Sequence, residues 1–211
     1  MLETLEDVSG LDETIFQTET LLHLTVGTMA LLDQRERNLA RDILMDCKEN
    51  IIQPLLLDKT LEFSIEGLEI MNDDPAAVDV LYGKIQDDSG ALQRIVDGLG
   101  EMSVPLHCNL TDCLLVEEFV QSGLMRREHD RVKLHVTLLN TLFRREQGDL
   151  GDTDRKERES FDGRLLLERF SKVGLGQVEL SEVHLSQRRA GRRTNAGYYL
   201  PSAVLSVNTC N

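Results

Sequence analysis

Val132-Lys133-Leu134-His135-Val136-Thr137-Leu138-Leu139 follows the same order as Leu21-Leu22-His23-Leu24-Thr25-Val26, with His135 lying 112 positions after His23. Each stretch is an apolar run holding His-x-Thr and then a hydrophobic residue. Both are rich in strand-forming side chains and are predicted β-strands. In a strand, side chains two positions apart share a face, so each run offers one imidazole beside one hydroxyl. Two such strands facing one cleft bring together two imidazoles and two hydroxyls.

These residue types suit the metal-free cleavage of a phosphodiester. That reaction needs a base for the attacking oxygen, an acid for the leaving oxygen, and donors for charge on the phosphoryl oxygens. Histidine, with an ordinary pKa of about 6.5, serves as either acid or base near neutrality. Threonine hydroxyls are neutral donors. Three of the five histidines, His23, His135 and His184, have Ser or Thr two positions on, in a chain with 24 such residues among 211. His184 sits in His184-Leu185-Ser186. A single match is better read as a hydrogen-bonded histidine on a half-buried strand. Two matches on apolar strands with the same small partner favour the site.

At 211 residues the chain is long enough for a substantial core. No run reaches the roughly 18 apolar residues of a membrane helix. Met1-Leu2-Glu3-Thr4-Leu5-Glu6-Asp7 lacks the basic and apolar regions of a signal peptide, which predicts an intracellular protein. Cys47, Cys108, Cys113 and Cys210 have no regular spacing and are expected to be free thiols. His107-Cys108 with Cys113 lacks a fourth ligand, so no metal site is expected. No cofactor is expected either.

The net charge of −14 is unevenly spread. Residues 1–120 hold 7 basic and 25 acidic side chains; residues 121–211 hold 16 and 12. A polyanionic ligand must therefore be drawn by the second half of the chain. The clusters that qualify are Arg126, Arg127, Arg131 and Lys133; Arg144 and Arg145; and Arg188, Arg189, Arg192 and Arg193. Each is equally well read as solvated surface.

Mixed α and β elements follow. Asp33-Gln34-Arg35-Glu36 reads as a capping box, opening a helix with Leu39, Ile43, Leu44, Cys47 and Ile51 on one face and ending before Pro54. Residues 61–67 and 78–85 read as strands of a hairpin turned through Met71-Asn72-Asp73-Asp74-Pro75. Ser89 caps a helix bearing Leu92, Ile95, Val96 and Leu99. A third helix carries Leu165, Leu166, Leu167 and Phe170, followed by strands over 177–185 and 198–207. This order predicts an α+β fold of two sheet-bearing lobes with antiparallel sheets and flanking helices, one His motif coming from each lobe.

The paired His-x-Thr-hydrophobic motifs resemble the signature of the two-histidine (2H) phosphoesterases, whose fold is similar to RNA ligases and cyclic phosphodiesterases. The similarity narrows through Gly67-Leu68-Glu69-Ile70-Met71-Asn72-Asp73-Asp74-Pro75, Val78-Asp79-Val80-Leu81-Tyr82, Val132 to Arg144, Arg158-Glu159-Ser160-Phe161-Asp162-Gly163-Arg164 and Val183 to Arg188. These segments resemble the A-kinase anchor protein 7-like branch, which includes phosphoesterase domains of the activating signal cointegrator complex.

The resemblance implies His23 and His135 as the catalytic acid–base pair, Thr25 and Thr137 as phosphate-binding donors, and RNA or an oligonucleotide phosphate as ligand. Tyr82 is a further candidate, as a ring on which a base stacks. The resemblance also implies a nuclear protein with a helicase and other complex subunits as partners, in transcription coactivation and repair of alkylated DNA. A non-catalytic RNA-binding or scaffold subunit is the competing expectation. Relatives of this kind carry a KH domain ahead of the phosphoesterase domain, and no KH-type glycine loop is found here. The chain is therefore expected to be one N-terminally truncated domain, 1–211, with an exposed insertion near 103–117, where Pro105 interrupts a helix.

Overall fold

The structure, a computed structural model, describes residues 8–57, 59–97, 115–127, 129–144, 158–188 and 192–207. The fold is α+β, with antiparallel sheets and flanking helices. The chain divides into two compact units. The first comprises Met1–Leu24, Ser64–Gln86 and His135–Gly176, and the second comprises Thr25–Phe63, Asp87–Leu134 and Gln177–Asn211.

The first unit is organised by β1 (Glu62–Ile70), β2 (Val80–Gln86) and β3 (His135–Asn140). β2 pairs antiparallel with both neighbours, in a four-stranded sheet whose order is β3, β2, β1 and then β4 (Gly174–Glu179). The β1–β2 hairpin is the expected one. Asn72 holds its turn through Nδ2 donated to the Ala77 carbonyl at 2.9 Å. α5 (Arg164–Phe170) contributes Leu166 to a core of Val8, Ile15, Val78, Leu81, Leu139 and Phe161.

Strict alternation along His135-Val136-Thr137-Leu138-Leu139 would put His135, Thr137 and Leu139 on one face. A bulge breaks it. Tyr82 pairs with Thr137 but Leu81 pairs with Leu139, leaving Leu138 as the extra residue. Val136 and Leu139 both reach the core, at 6 % and 4 % exposure, while His135 and Thr137 stay on the opposite face. A second bulge between Ile65 and Leu68 does the same for β1, with Gly67 at φ +79°. Arg158 ties the strand ends together, donating to Thr141 Oγ1 at 2.7 Å and Asn140 Oδ1 at 2.8 Å and pairing with Asp79 at 3.3 Å.

The second unit is mainly helical. α1 (Gln34–Cys47) starts as expected: the Asp33 carboxylate accepts from the Glu36 amide at 2.8 Å, and Glu36 reaches back to the Leu32 amide at 2.5 Å. Asp33→Ala should therefore cost about 1 kcal/mol, read as a lower urea midpoint at an unchanged slope. Its buried line runs through Ala40, Leu44 and Cys47, with Leu39 turned 43 % to solvent. α3 (Ala91–Asp97) packs on α4 (Leu115–Gln121), and α4 packs on α1. Ser89 Oγ accepts from the Ala91 amide at 3.1 Å, the predicted cap. A hairpin of β5 (Glu182–Gln187) and β6 (Leu200–Ser206) completes the unit, with β6 against α1.

Several expectations need correction. The helix does not stop before Pro54: a π-helical turn, Lys48–Ile52, widens the backbone, and one further turn, α2 (Gln53–Leu56), follows. The wider turn relieves the clash between a proline ring and the carbonyl four residues back. The helix ends instead at Leu57, at φ +49°. The strand expected over 177–185 is two strands, because Leu180 donates to the Leu61 carbonyl and β5 then pairs with β6. The second histidine strand starts at His135 rather than Val132, whose amide is taken by Asp97 Oδ1 at 2.6 Å.

The first histidine run is no continuous strand. Leu21 ends a 3-10 turn, and Leu24 makes a single antiparallel bridge to Val136. Both histidines consequently belong to the first unit rather than to one lobe each. Of the insertion expected near 103–117, residues 103–114 lie outside the described residues, and Leu115 to Glu117 open α4. Among the described residues, no helix is long and apolar enough to cross a membrane.

Candidate functional site

The N-terminal segment runs beside β3, bridging Phe16 to Leu139, leaving through the 3-10 turn Glu19–Leu21, and returning at Leu24 to Val136. In an antiparallel bridge the flanking residues face each other, so the Leu24–Val136 pair sets His23 across from Thr137. In a regular antiparallel pair, directly opposed side chains have Cβ atoms about 4.5–5.5 Å apart and diagonal neighbours, the relation of His23 to His135, about 7–8 Å. Thr25, two positions beyond His23, opens the second unit.

The His23 ring is oriented locally. Its Nδ1 lies 2.7 Å from the Leu21 carbonyl, which can only accept, so Nδ1 carries the hydrogen. In the neutral ring, Nε2 then bears the lone pair, the form a general base requires. The 3-10 turn ending at Leu21 presents that carbonyl, which accounts for an irregular segment where a strand was expected.

His135 is positioned from β2. It pairs with Lys84, and its ring meets the edge of Tyr82 at a centroid separation of 5.2 Å and 62°. Tyr82 pairs with Thr137 on one side and Glu69 on the other, and its hydroxyl donates to Glu69 Oε2. Lys84 Nζ lies 3.8 Å from Glu69 Oε1. One face of the sheet thus carries His135, Thr137, Tyr82, Lys84 and Glu69 in register. Glu69 and Lys84 were not anticipated as part of it. The bulge in β1 hides Glu69, since counting by twos from Phe63 and Ile65 assigns it the wrong face, whereas Lys84 follows Tyr82 by two on the regular β2.

Tyr82 is 1 % exposed. A base therefore has no ring face to stack on, which corrects the expectation of substrate contact. Burial, reinforced by the hydrogen bond and negative charge of Glu69, pushes its hydroxyl well above the usual tyrosine range. A folded-state pKa raised above the unfolded value of about 10 stabilises the fold below that pH, and the contribution is lost as pH rises further. Tyr82→Phe should flatten this alkaline loss, read as a smaller difference between urea midpoints at pH 8 and pH 11 than in the wild type.

Tyr198 and Ser186 belong to the second unit, as does His184, whose Nε2 lies 2.8 Å from Glu182. The third match, His184-Leu185-Ser186, thus belongs to the second unit. Among the described residues, no group of three or more His, Cys, Asp or Glu side chains is placed to hold a metal ion.

Comparison with known proteins matches residues 1–207 to a family model described as the AKAP7 2′5′ RNA ligase-like domain. The chain is 39 % identical over 190 residues to the mouse protein activating signal cointegrator 1 complex subunit 1. That alignment covers 85 % of this chain and 49 % of the relative, so the chain spans about half the length of the curated protein it matches.

Proposed function

We propose, from the premise that this chain belongs to the AKAP7-like 2′5′ RNA ligase domain family, that it is a metal-independent phosphodiesterase of the 2H type. Its substrate is a phosphodiester of RNA or a short oligonucleotide. The observation that carries this proposal is the Leu24–Val136 bridge, which aligns the two histidine motifs side by side.

His23 and His135 are the acid–base pair. As the attacking oxygen bonds to phosphorus, its proton passes to one imidazole, and the leaving oxygen takes a proton from the other. The roles exchange with the direction of the reaction. Thr137 and Thr25 donate to the phosphoryl oxygens, where charge grows in the transition state. Tyr82, backed by Glu69, is a positioning residue that holds the His135 ring. Tyr82→Phe keeps the ring and should lower kcat by no more than about 10-fold, whereas Tyr82→Leu should lower it further. A shifted pH profile of kcat/KM in the leucine variant separates positioning of His135 from a merely structural role.

The similarity to a cointegrator complex subunit supports membership of such a complex, with a helicase among its partners. A nuclear location and a part in transcription coactivation and alkylation repair belong to the same proposal. The catalytic proposal is tested with a panel of 2′,3′-cyclic phosphates and 2′-5′ oligonucleotides in excess EDTA. Turnover that survives EDTA and is lost in His135→Ala supports it. No turnover of any substrate, with oligonucleotide binding retained, would instead make the chain a binding subunit.

A further inference from the structure

The hairpin of the second unit gathers what the proposed reaction leaves unused. His184 and Ser186 both meet Tyr198: the His184 ring, held at Nε2 by Glu182, meets it edge-on at 5.6 Å, and Ser186 hydrogen-bonds its hydroxyl. Tyr198 in turn meets Tyr199 edge-on at 5.5 Å. Beyond them the chain makes a tight turn. The Thr194 amide donates to the Tyr198 carbonyl at 2.9 Å, Gly197 closes back on Thr194 at 2.9 Å, and Gly197 sits at φ +85°. The turn pairs Arg193 with Tyr199 and holds the guanidinium 4.2 Å from the centre of the Tyr199 ring.

This cluster contrasts with the rest of the molecule. Between residues 182 and 207 there are four arginines and one acidic residue, Glu182, in a chain of net charge −14. Arg188, Arg192 and Arg193 are all exposed. A surface arginine normally gives up side-chain freedom on binding, but Arg193 is already ordered over an aromatic ring, which lowers that cost. Arginine planes and tyrosine rings are platforms for unpaired bases, and clustered guanidinium groups bind phosphates.

We propose that this hairpin and its turn form a docking surface for single-stranded RNA. Arg188 and Arg192 contact phosphates, and Arg193, backed by Tyr199, carries both a phosphate and a stacked base. The proposal rests on the nucleic-acid side of the proposed function and not on its catalysis. An acidic peptide would meet the same charge, but it has no flat base for the Arg193–Tyr199 pair.

The test is fluorescence polarisation of a labelled 12-nucleotide oligouridylate with the full chain across a salt series. Each phosphate contact to a single strand contributes roughly 0.7 to the salt slope, so R192A/R193A should flatten it by roughly 1.4. Arg193→Lys should keep the slope and still weaken binding, since charge is retained and the plane is lost. Tyr199→Ala removes the ring that holds the Arg193 plane and should weaken binding about 2- to 5-fold, the worth of an exposed cation–π contact. R188E/R192E/R193E binding with wild-type affinity and slope would overturn the proposal. So would a polyglutamate of equal charge that displaces neither more nor less label than unlabelled oligouridylate does. Hydrolysis of a mononucleoside 2′,3′-cyclic phosphate should be unchanged in all these variants. A wild-type chain that hydrolyses nothing would sink the catalytic proposal while leaving the hairpin measurement to stand or fall alone.

Discussion

His135→Ala and His23→Ala are each expected to lower phosphodiester turnover by about 10²- to 10⁴-fold, the contribution of one positioned acid or base. Neither side chain belongs to the packed core of the first unit, so near-wild-type urea midpoints should accompany the loss. The double variant should be little worse than either single one, because an acid and a base acting in one step are not additive. Thr137→Val and Thr25→Val should cost less, roughly 1–3 kcal/mol each, since each removes a hydrogen bond to phosphate rather than a proton-transfer group. Steady-state kinetics on the best substrate of the panel gives this ranking directly. Threonine variants worse than the histidine variants would reverse the assigned roles.

The largest stability effect is expected at Gly67. Its φ of +79° is left-handed, and a Cβ there would run into the Ser171 carbonyl oxygen, a backbone atom that cannot swing aside. The Gly67 amide also donates to the Val173 carbonyl at 2.7 Å, pinning the two segments at this spacing. Strained backbone and overpacking together make Gly67→Ala roughly 2–5 kcal/mol destabilising. Gly90 is the control: at φ +63° it has nothing within 4 Å of a built Cβ. Gly90→Ala should cost only the left-handed penalty, about 1–2 kcal/mol. Equal losses in urea midpoint for the two variants would mean that the Ser171 contact contributes nothing.

Local signals were legible where short-range chemistry decides the structure. The Asp33 cap, the Ser89 cap, the Asn72 turn and the period of Leu165 to Phe170 each depend on neighbours a few residues away, and each appears as read. The histidine motifs could be located in the same way, but their relation could not. It depends on the chain from Phe16 to Leu24 running along a strand more than a hundred residues later, a pairing no local period encodes. The bulges at Leu138 and Gly67 hid the rest. They change face without changing composition, which takes Glu69 off the face its alternation indicates; the burial of Tyr82, on the regular β2, is tertiary packing that no local period encodes. At Pro54 the ordinary rule for a helix stop gave way to a π-helical turn that accommodates the ring.

The central claim is that His23 and His135 address the same phosphate, and NMR of the histidine Cε1 protons tests it most directly. Assignments come from the single alanine variants, and the titrant is adenosine 2′-monophosphate in EDTA. Both resonances should shift along one isotherm with a common midpoint, His184 should stay in place, and in His135→Ala the midpoint read at His23 should rise. Movement of only one of the two, or two isotherms with different midpoints, would contradict a shared site whatever the enzyme assays show.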